Sequence, residues 1–587
     1  MRTRGLIFGI FLFAFAAACA LGENMDVKFA ESDGRLDVLL NGRKAISGLR
    51  ALIVTPKEEF SLENGNLNVT DYLTFENIDD GIGKGKMTDV EYTSAGGARK
   101  ANLWVHAYPA RKSIIGKLVY EGPGGLAAQG GLRVEFDELA GFRRGSGSER
   151  YKQFWTRPFF TDNLIEIKNH TQFFLWDGGE TGYWAAIPLC GGGMKGEMNV
   201  RGAPGFEASS AHSGFAPEEV PLFAISWDEN PYAAVEKVYR AGMEAMGNPG
   251  KLRVDKEYPE VFEYIGWCSW NAFYHGIDRE KLIGAARTFH EAGFPAKYFL
   301  FDDGWQSVRD RRMTAFEPDP EKFPGGLKEV VEKIKGDYGF RWVGVWHTFQ
   351  GYWDGIHPKS ELAEKYKDSL FKSFGDILIP DPRKQRGFRF FSDFHEFLRG
   401  EGIDFVKVDN QSTMDTLVVQ KIPIGYASQY QQYSLQDSVQ KHFDNRIINC
   451  MEMTIENVYN WRASNVSRNS DDFFPDREGN HRQHALYNIY NSLWLSQLSY
   501  PDFDMFQSHH PHALFHAVLR AVSGGPIYVA DTPGMQNLEL LRRLAFSDGR
   551  IPRPDHPALP TRDALFADPS VETVPLKTFT KSGGAGI

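Results

Sequence analysis

The chain of 587 residues has only four cysteines, Cys19, Cys190, Cys268 and Cys450, and the first lies inside an apolar N-terminal run. The three that follow leave an odd number for pairing, so a disulfide framework is not what holds the fold; core thiols are expected. Basic charge is also short. Lys and Arg number 66 against 76 Asp and Glu, giving a net charge of −10. Without a clustered basic stripe, nucleic acid is excluded as a partner. No His, Cys and carboxylate spacing suits a divalent ion, so neither a metal nor another cofactor is expected. Past the N-terminus no apolar run is long enough to cross a bilayer.

What the N-terminus does contain is Met1-Arg-Thr-Arg4, an apolar stretch from Leu6 to Ala20, and Leu-Gly-Glu-Asn. That charged, apolar, small-residue order is a secretory signal, placed at 1–22. Cys19 after Ala16-Ala17-Ala18 also permits a lipid anchor of the bacterial lipoprotein type. An exported protein is expected, periplasmic or at the cell surface.

Length beyond what one core supports predicts two or three domains. Short alternating runs such as Leu36-Asp-Val-Leu-Leu and Ala101-Asn-Leu-Trp-Val-His, set between turns, predict an antiparallel β-sandwich over 23–230. The spacing turns helical after Pro231 and breaks at Gly247-Asn-Pro-Gly250, which predicts a helical linker over 231–258. Apolar strands then alternate with amphipathic segments: Tyr264 to Trp270, Tyr298 to Asp303, Trp342 to His347, Phe405 to Asp409, Arg446 to Met451, Val466 to Asp472, Phe503 to Gln507, and Ile527 to Asp531. These eight predict an α/β fold, a (β/α)8 TIM barrel over 259–545. The connection from Gln350 to Arg383 is too long for a plain loop and should fold over the barrel mouth. Residues 546–587 read as a C-terminal extension, the start of a shortened β-domain.

Acids gather where these strands stop: Asp302-Asp303-Gly-Trp305-Gln306, Lys407-Val-Asp409, and Arg468-Asn-Ser-Asp471-Asp472. In a barrel, the C-terminal strand ends carry the chemistry. Paired carboxyls there suit work on a neutral, hydroxyl-rich substrate, as in a glycosidase. Lys407 and Asp409 are two apart on a strand and share a face, so they should be neighbours, the lysine keeping Asp409 ionised as a nucleophile; a buried structural ion pair is the bland alternative. Asp472, with Asp471 beside it and Asp409 opposite, should have a raised pKa and serve as acid. Ser470 or Asp471 could equally be a cap. Asp302 and Asp303 alternate in direction and could hold sugar hydroxyls. Trp270, Trp305 and Trp346 could form a stacking wall or simply be core, in a chain whose aromatic share is 14%. Arg468 is expected to face substrate, and Glu452 is a further hydroxyl partner. His509 and His510 read as loop histidines.

From about Gly266 to Asp568 the sequence resembles glycoside hydrolase family 36, in its raffinose synthase and alkaline α-galactosidase branch. The segments that carry the likeness are Asp302-Asp303-Gly-Trp305-Gln306, His347 with Gly351-Tyr352-Trp353, Lys407-Val-Asp409, Ser470-Asp471-Asp472-Phe473, Pro501-Asp502-Phe-Asp504-Met505-Phe506, Pro560-Thr561-Arg562-Asp563 and Leu565-Phe566-Ala567-Asp568. The resemblance implies a β-sandwich before a (β/α)8 barrel and retaining chemistry on α-galactoside oligosaccharides, with Asp409 as nucleophile and Asp472 as acid/base. It also implies that Trp270, Asp302, Asp303, Trp346, Lys407, Glu452 and Arg468 hold galactose. An exported α-galactosidase is the leading expectation. Galactosyl transfer to a sugar and a non-catalytic carbohydrate-binding protein are the rivals.

Overall fold

The computed structural model describes residues 25–587; the predicted signal at 1–22 and Cys19 lie outside the described residues. Antiparallel strands from Met25–Ala30 to Glu219–Asp228 build the N-terminal domain. Strict alternation drives this: Arg35–Leu40 buries Leu36, Val38 and Leu40 and turns the residues between them outward, as a strand with one face on a core must. Trp176 stacks on Trp184, which packs on Trp227, so part of the tryptophan content serves this core.

The helix Pro231–Ala245 begins with proline at its first position, and the Asn230 side chain accepts from Tyr232 N, a favourable start on both counts. It is more than a linker, because Ala234, Val235, Val238 and Met243 are buried in one cluster with Phe173, Ile187 and Ala224 of the sheet.

Eight parallel strands follow: Gly266–Cys268, Tyr298–Phe301, Trp342–Thr348, Phe405–Asp409, Ile447–Asn449, Val466–Arg468, Tyr500–Asp502 and Tyr528–Val529. Each pairs with its predecessor through the seventh, and the first pairs with the eighth. The bridge Phe506–Val529 closes the ring. Small and large residues interleave inside it: a Cβ on Gly266 would lie 2.1 Å from the Tyr298 ring, and one on Gly344 2.4 Å from the Phe405 ring, so only glycine fits there.

Strand seven corrects the sequence expectation of Phe503 to Gln507. The ladder runs over Tyr500–Asp502, Asp504 turns left-handed at φ 66°, and of the expected stretch only Phe506 re-forms a bridge. The break brings the Asp504 carboxyl beside Arg468.

Two excursions line the mouth. Gln306–Arg309 and Arg312–Pro318 form a hairpin that the sequence reading did not foresee. The 350–383 connection carries a second hairpin, Leu370–Lys372 with Leu378–Pro380, joined to the first by bridges through Ile356. After the barrel, the chain packs back on both domains: Tyr490 Oη donates to Ala564 O at 2.6 Å, and Arg144 pairs with Glu572 at 2.9 Å. Cys268 and Cys450 are buried free thiols. No helix among the described residues is long and apolar enough to cross a membrane.

Candidate active site

Strand four delivers Lys407 and Asp409 to one face, yet they are not direct partners. Lys407 Nζ donates to Asp302 Oδ2 at 2.8 Å, with both side chains 4% exposed. Asp302 also takes Cys268 Sγ at 3.3 Å, and the Ser269 hydroxyl accepts its backbone N–H at 2.9 Å. Asp409 Oδ2 accepts from Trp346 Nε1 at 2.9 Å and Oδ1 from Asn410 N at 2.8 Å. The left-handed turn at Asn410, φ 60°, aims that N–H back at the carboxylate.

Lys407 does act to lower the Asp409 pKa, as expected, but it is not the largest influence, so the expected net depression is corrected. Burial raises the pKa, Lys407 and the Trp346 hydrogen bond oppose that, Asp472 adds to the rise, and the net direction is upward. Asp472 is thus near enough for its charge to be felt at Asp409.

Asp472 follows strand six at the mouth, its side chain 40% exposed, with Oδ1 2.9 Å from Arg468 Nη2. Its pKa is raised, as expected: enclosure in the cleft contributes most, Arg468 opposes it, and Asp504 rather than Asp409 is the carboxylate that raises it most. Arg468 itself is wholly buried and divided between Asp472 and Asp504, which is 3.0 Å from Nη1, with its guanidinium 5.4 Å from the Trp155 ring. With both ends of its guanidinium paired and its side chain fully buried, it holds Asp472 instead of presenting an open face, which corrects the expectation that it faces substrate. Asp504 also accepts Phe473 N at 2.8 Å, fixing the backbone next to Asp472; its signal in the sequence was the Asp502-x-Asp504 pair. Burial pushes the neighbouring Asp502 up to about 6.

Asp303 is clasped from three sides by Tyr352 Oη at 2.8 Å, Trp353 Nε1 at 2.8 Å and His275 Nε2 at 3.1 Å. The long connection thus does reach over the mouth, through Tyr352 and Trp353. Trp270 stands half-buried after strand one, its ring 5.2 Å from Tyr274 and 5.1 Å from His275. Trp346 lies under Asp409.

Two further predicted residues are fully buried. Glu452 is fully buried, accepts from the Ser467 hydroxyl, and has its pKa pushed well up by burial. Trp305 is fully buried, donates to Trp346 O at 2.8 Å and packs near Phe394. Gly304, at φ 120° and with a would-be Cβ 2.7 Å from His275 O, reverses the chain after Asp303 and sends Trp305 into the core. Trp305→Phe should therefore lower stability by about 1–3 kcal/mol, by leaving a buried carbonyl unpaired. KM should stay within about twofold; a large KM change at unaltered melting temperature would place the ring in the pocket.

The β-sandwich domain also contributes, which the sequence did not reveal. Tyr151 Oη donates to Asp471 Oδ2 at 2.9 Å and the Lys152 ammonium to the same oxygen. A cavity of about 480 Å³, lined by Phe473, Pro475, His481, His510 and His512, begins one residue past Asp472. Another, of about 490 Å³, lies away from the acids, between Tyr232, Arg253 and Phe579. No three His, Cys, Asp or Glu side chains among the described residues are grouped to hold a metal.

The family profile described as raffinose synthase or seed imbibition protein Sip1 matches residues 147–323 and 317–582. A probable galactinol–sucrose galactosyltransferase 6 of Arabidopsis thaliana is 36% identical over 56% of this chain and 48% of its own. A galactinol–sucrose galactosyltransferase of Oryza sativa subsp. japonica is 30% identical over 72% of this chain and 61% of its own. The chain thus spans between about half and somewhat under two thirds of these relatives' length. Among solved structures, the GH36 α-galactosidase AgaA from Geobacillus stearothermophilus superposes with a TM-score of 0.56 at 12% identity, covering 91% of this chain and 79% of that one, and shares the β-sandwich and barrel.

Proposed function

Because the chain belongs to the family of raffinose synthase and seed imbibition protein Sip1, within glycoside hydrolase family 36, we propose that it is an exported retaining α-galactosidase. The observation that carries this is the placement of Asp409 at the end of strand four and of Asp472 just past strand six, two carboxyls on the C-terminal side of one parallel barrel. The Asp409 carboxylate attacks the anomeric carbon as Asp472 gives its proton to the departing oxygen, and a β-galactosyl ester of Asp409 forms. Asp472, now a carboxylate, takes a proton from water; the water oxygen attacks the same carbon and α-galactose leaves. Trp346 Nε1 and Asn410 N hold the nucleophile's oxygens in place. Asp302, oriented by Lys407, and Asp303, oriented by Tyr352, Trp353 and His275, accept from galactose hydroxyls, while the half-exposed Trp270 supplies an apolar face. The charged, then apolar N-terminus supports export.

A second reading is galactosyl transfer, favoured by the galactosyltransferase names of the plant relatives. It uses the same ester with a sugar hydroxyl in place of water. Proton NMR of the purified protein with raffinose separates the two. Free α-galactose as the first-formed anomer is expected; β-galactose first would overturn retention, and galactose appearing mainly on another sugar would favour transfer.

A further inference from the structure

We infer that Tyr151 and Lys152, from the loop between two β-sandwich strands, are positioning residues for Asp472 and act through Asp471. This rests on the reading of Asp472 as the acid/base. Both oxygens of Asp471 are occupied. Oδ2 accepts from Tyr151 Oη and the Lys152 ammonium, and Oδ1 from the backbone N–H of Asp472 at 2.9 Å. Asp471 is therefore a bridge between domains: one end is held by the β-sandwich, the other by the residue that carries the proton.

The loop is itself fastened to the barrel. Gln153 Nε2 donates to Asp415 at 3.1 Å, Phe154 O accepts from Met453 N at 3.3 Å, and Trp155 lies beside Arg468. The Tyr151 ring meets Tyr487 edge-on at 5.9 Å and has the Arg157 guanidinium over it at 5.0 Å. A segment tied at this many points can hold Asp471 in one place.

The bridge carries charge as well as position. Asp472 is faced by Arg468 from strand six, Lys407 and Asp409 from strand four, Asp504 from the turn after strand seven, and Asp471 beside it. Asp471 is faced by Lys152, Tyr151 and, from the helix Asn480–Asn491, His484. Asp471 favours the protonated form of its neighbour, and Lys152 is the cation that offsets it. With its side chain 45% exposed, Lys152 acts under partial screening by solvent and salt.

The test is the alkaline limb of the kcat/KM profile on raffinose. Lys152→Met uncovers the Asp471 charge and should move the limb up by about half to one pH unit. Asp471→Asn keeps the acceptor for Asp472 N and removes the charge, so the limb should move down. The double variant should match Asp471→Asn, since nothing is left for the lysine to offset. Limbs that coincide in all three variants, or loss of activity uniform across pH, would overturn the proposal. Asp472→Ala run alongside separates it from its premise: undiminished activity on raffinose in that variant means that Asp472 is not the acid, whatever the limb does.

Discussion

Asp409→Ala is expected to lower kcat/KM on an α-galactoside by about 10⁴-fold or more, the scale on which removing a covalent nucleophile is felt. The size follows from what is lost together. Without the carboxylate no galactosyl ester forms, and Trp346 Nε1 and Asn410 N, which held its two oxygens, are left aimed at an empty place. Sugar affinity should change little in this variant, since Asp302 keeps its ion pair with Lys407 and Asp303 its three donors. Azide entering where the carboxylate stood should restore turnover of an activated aryl α-galactoside and yield the β-galactosyl azide, inverted because a single displacement replaces two. The fold should survive, because Asp409 is paired through hydrogen bonds and not through the buried salt bridge. Residual activity within tenfold of the starting protein, or an α-configured azide product, would assign the nucleophile elsewhere.

The pair of acids was legible because two independent periodicities agree. An apolar run that stops in acids marks a strand end, and eight such runs with helices between them mark the barrel whose strand ends carry chemistry. What the sequence could not show is pairing across strands. The i, i+2 rule put Lys407 and Asp409 on one face correctly, but side chains on one face choose partners by distance, and strand two brought Asp302 within 2.8 Å of the ammonium. For Trp305 the core alternative holds and not the stacking wall, because alternation ends with the strand at Phe301 and Gly304 then turns the chain over. Strand seven was misplaced because the apolar Phe503, Met505 and Phe506 outweighed Tyr500-Pro501, although proline is tolerated where its missing donor is not needed. The Tyr151 and Lys152 contacts join residues 320 and 319 positions apart, a separation that no local pattern encodes.

Asp472→Ala is expected to lose about 10²–10⁴-fold on raffinose, the range attributed to a positioned general acid, and far less in the first step with a p-nitrophenyl leaving group that needs no proton. The ester on Asp409 should then accumulate, so kcat and KM fall together on the aryl substrate, and azide should release α-galactosyl azide with retained configuration. The pH dependence follows from the direction of the Asp472 shift. A carboxyl whose pKa is raised in the fold keeps its proton above the ordinary carboxylate range, so kcat/KM on raffinose should persist upward in pH and fall as that proton leaves; the alanine variant should lack this limb. The same shift has a sign in stability. The folded state binds this proton more tightly than the unfolded chain, so the contribution is full below the unfolded pKa and is lost as pH rises through the folded one. Where Asp472 is ionised its charge is therefore a cost to the fold, one that Arg468 offsets only in part because it also serves Asp504. The melting temperature of Asp472→Ala should be no lower than that of the unaltered protein at neutral pH, and the comparison should favour the variant more as pH rises. A variant that melts lower at every pH would mean that the Arg468 contact outweighs the cost of burial and that Asp472 rests ionised, the wrong state for the acid of the first step.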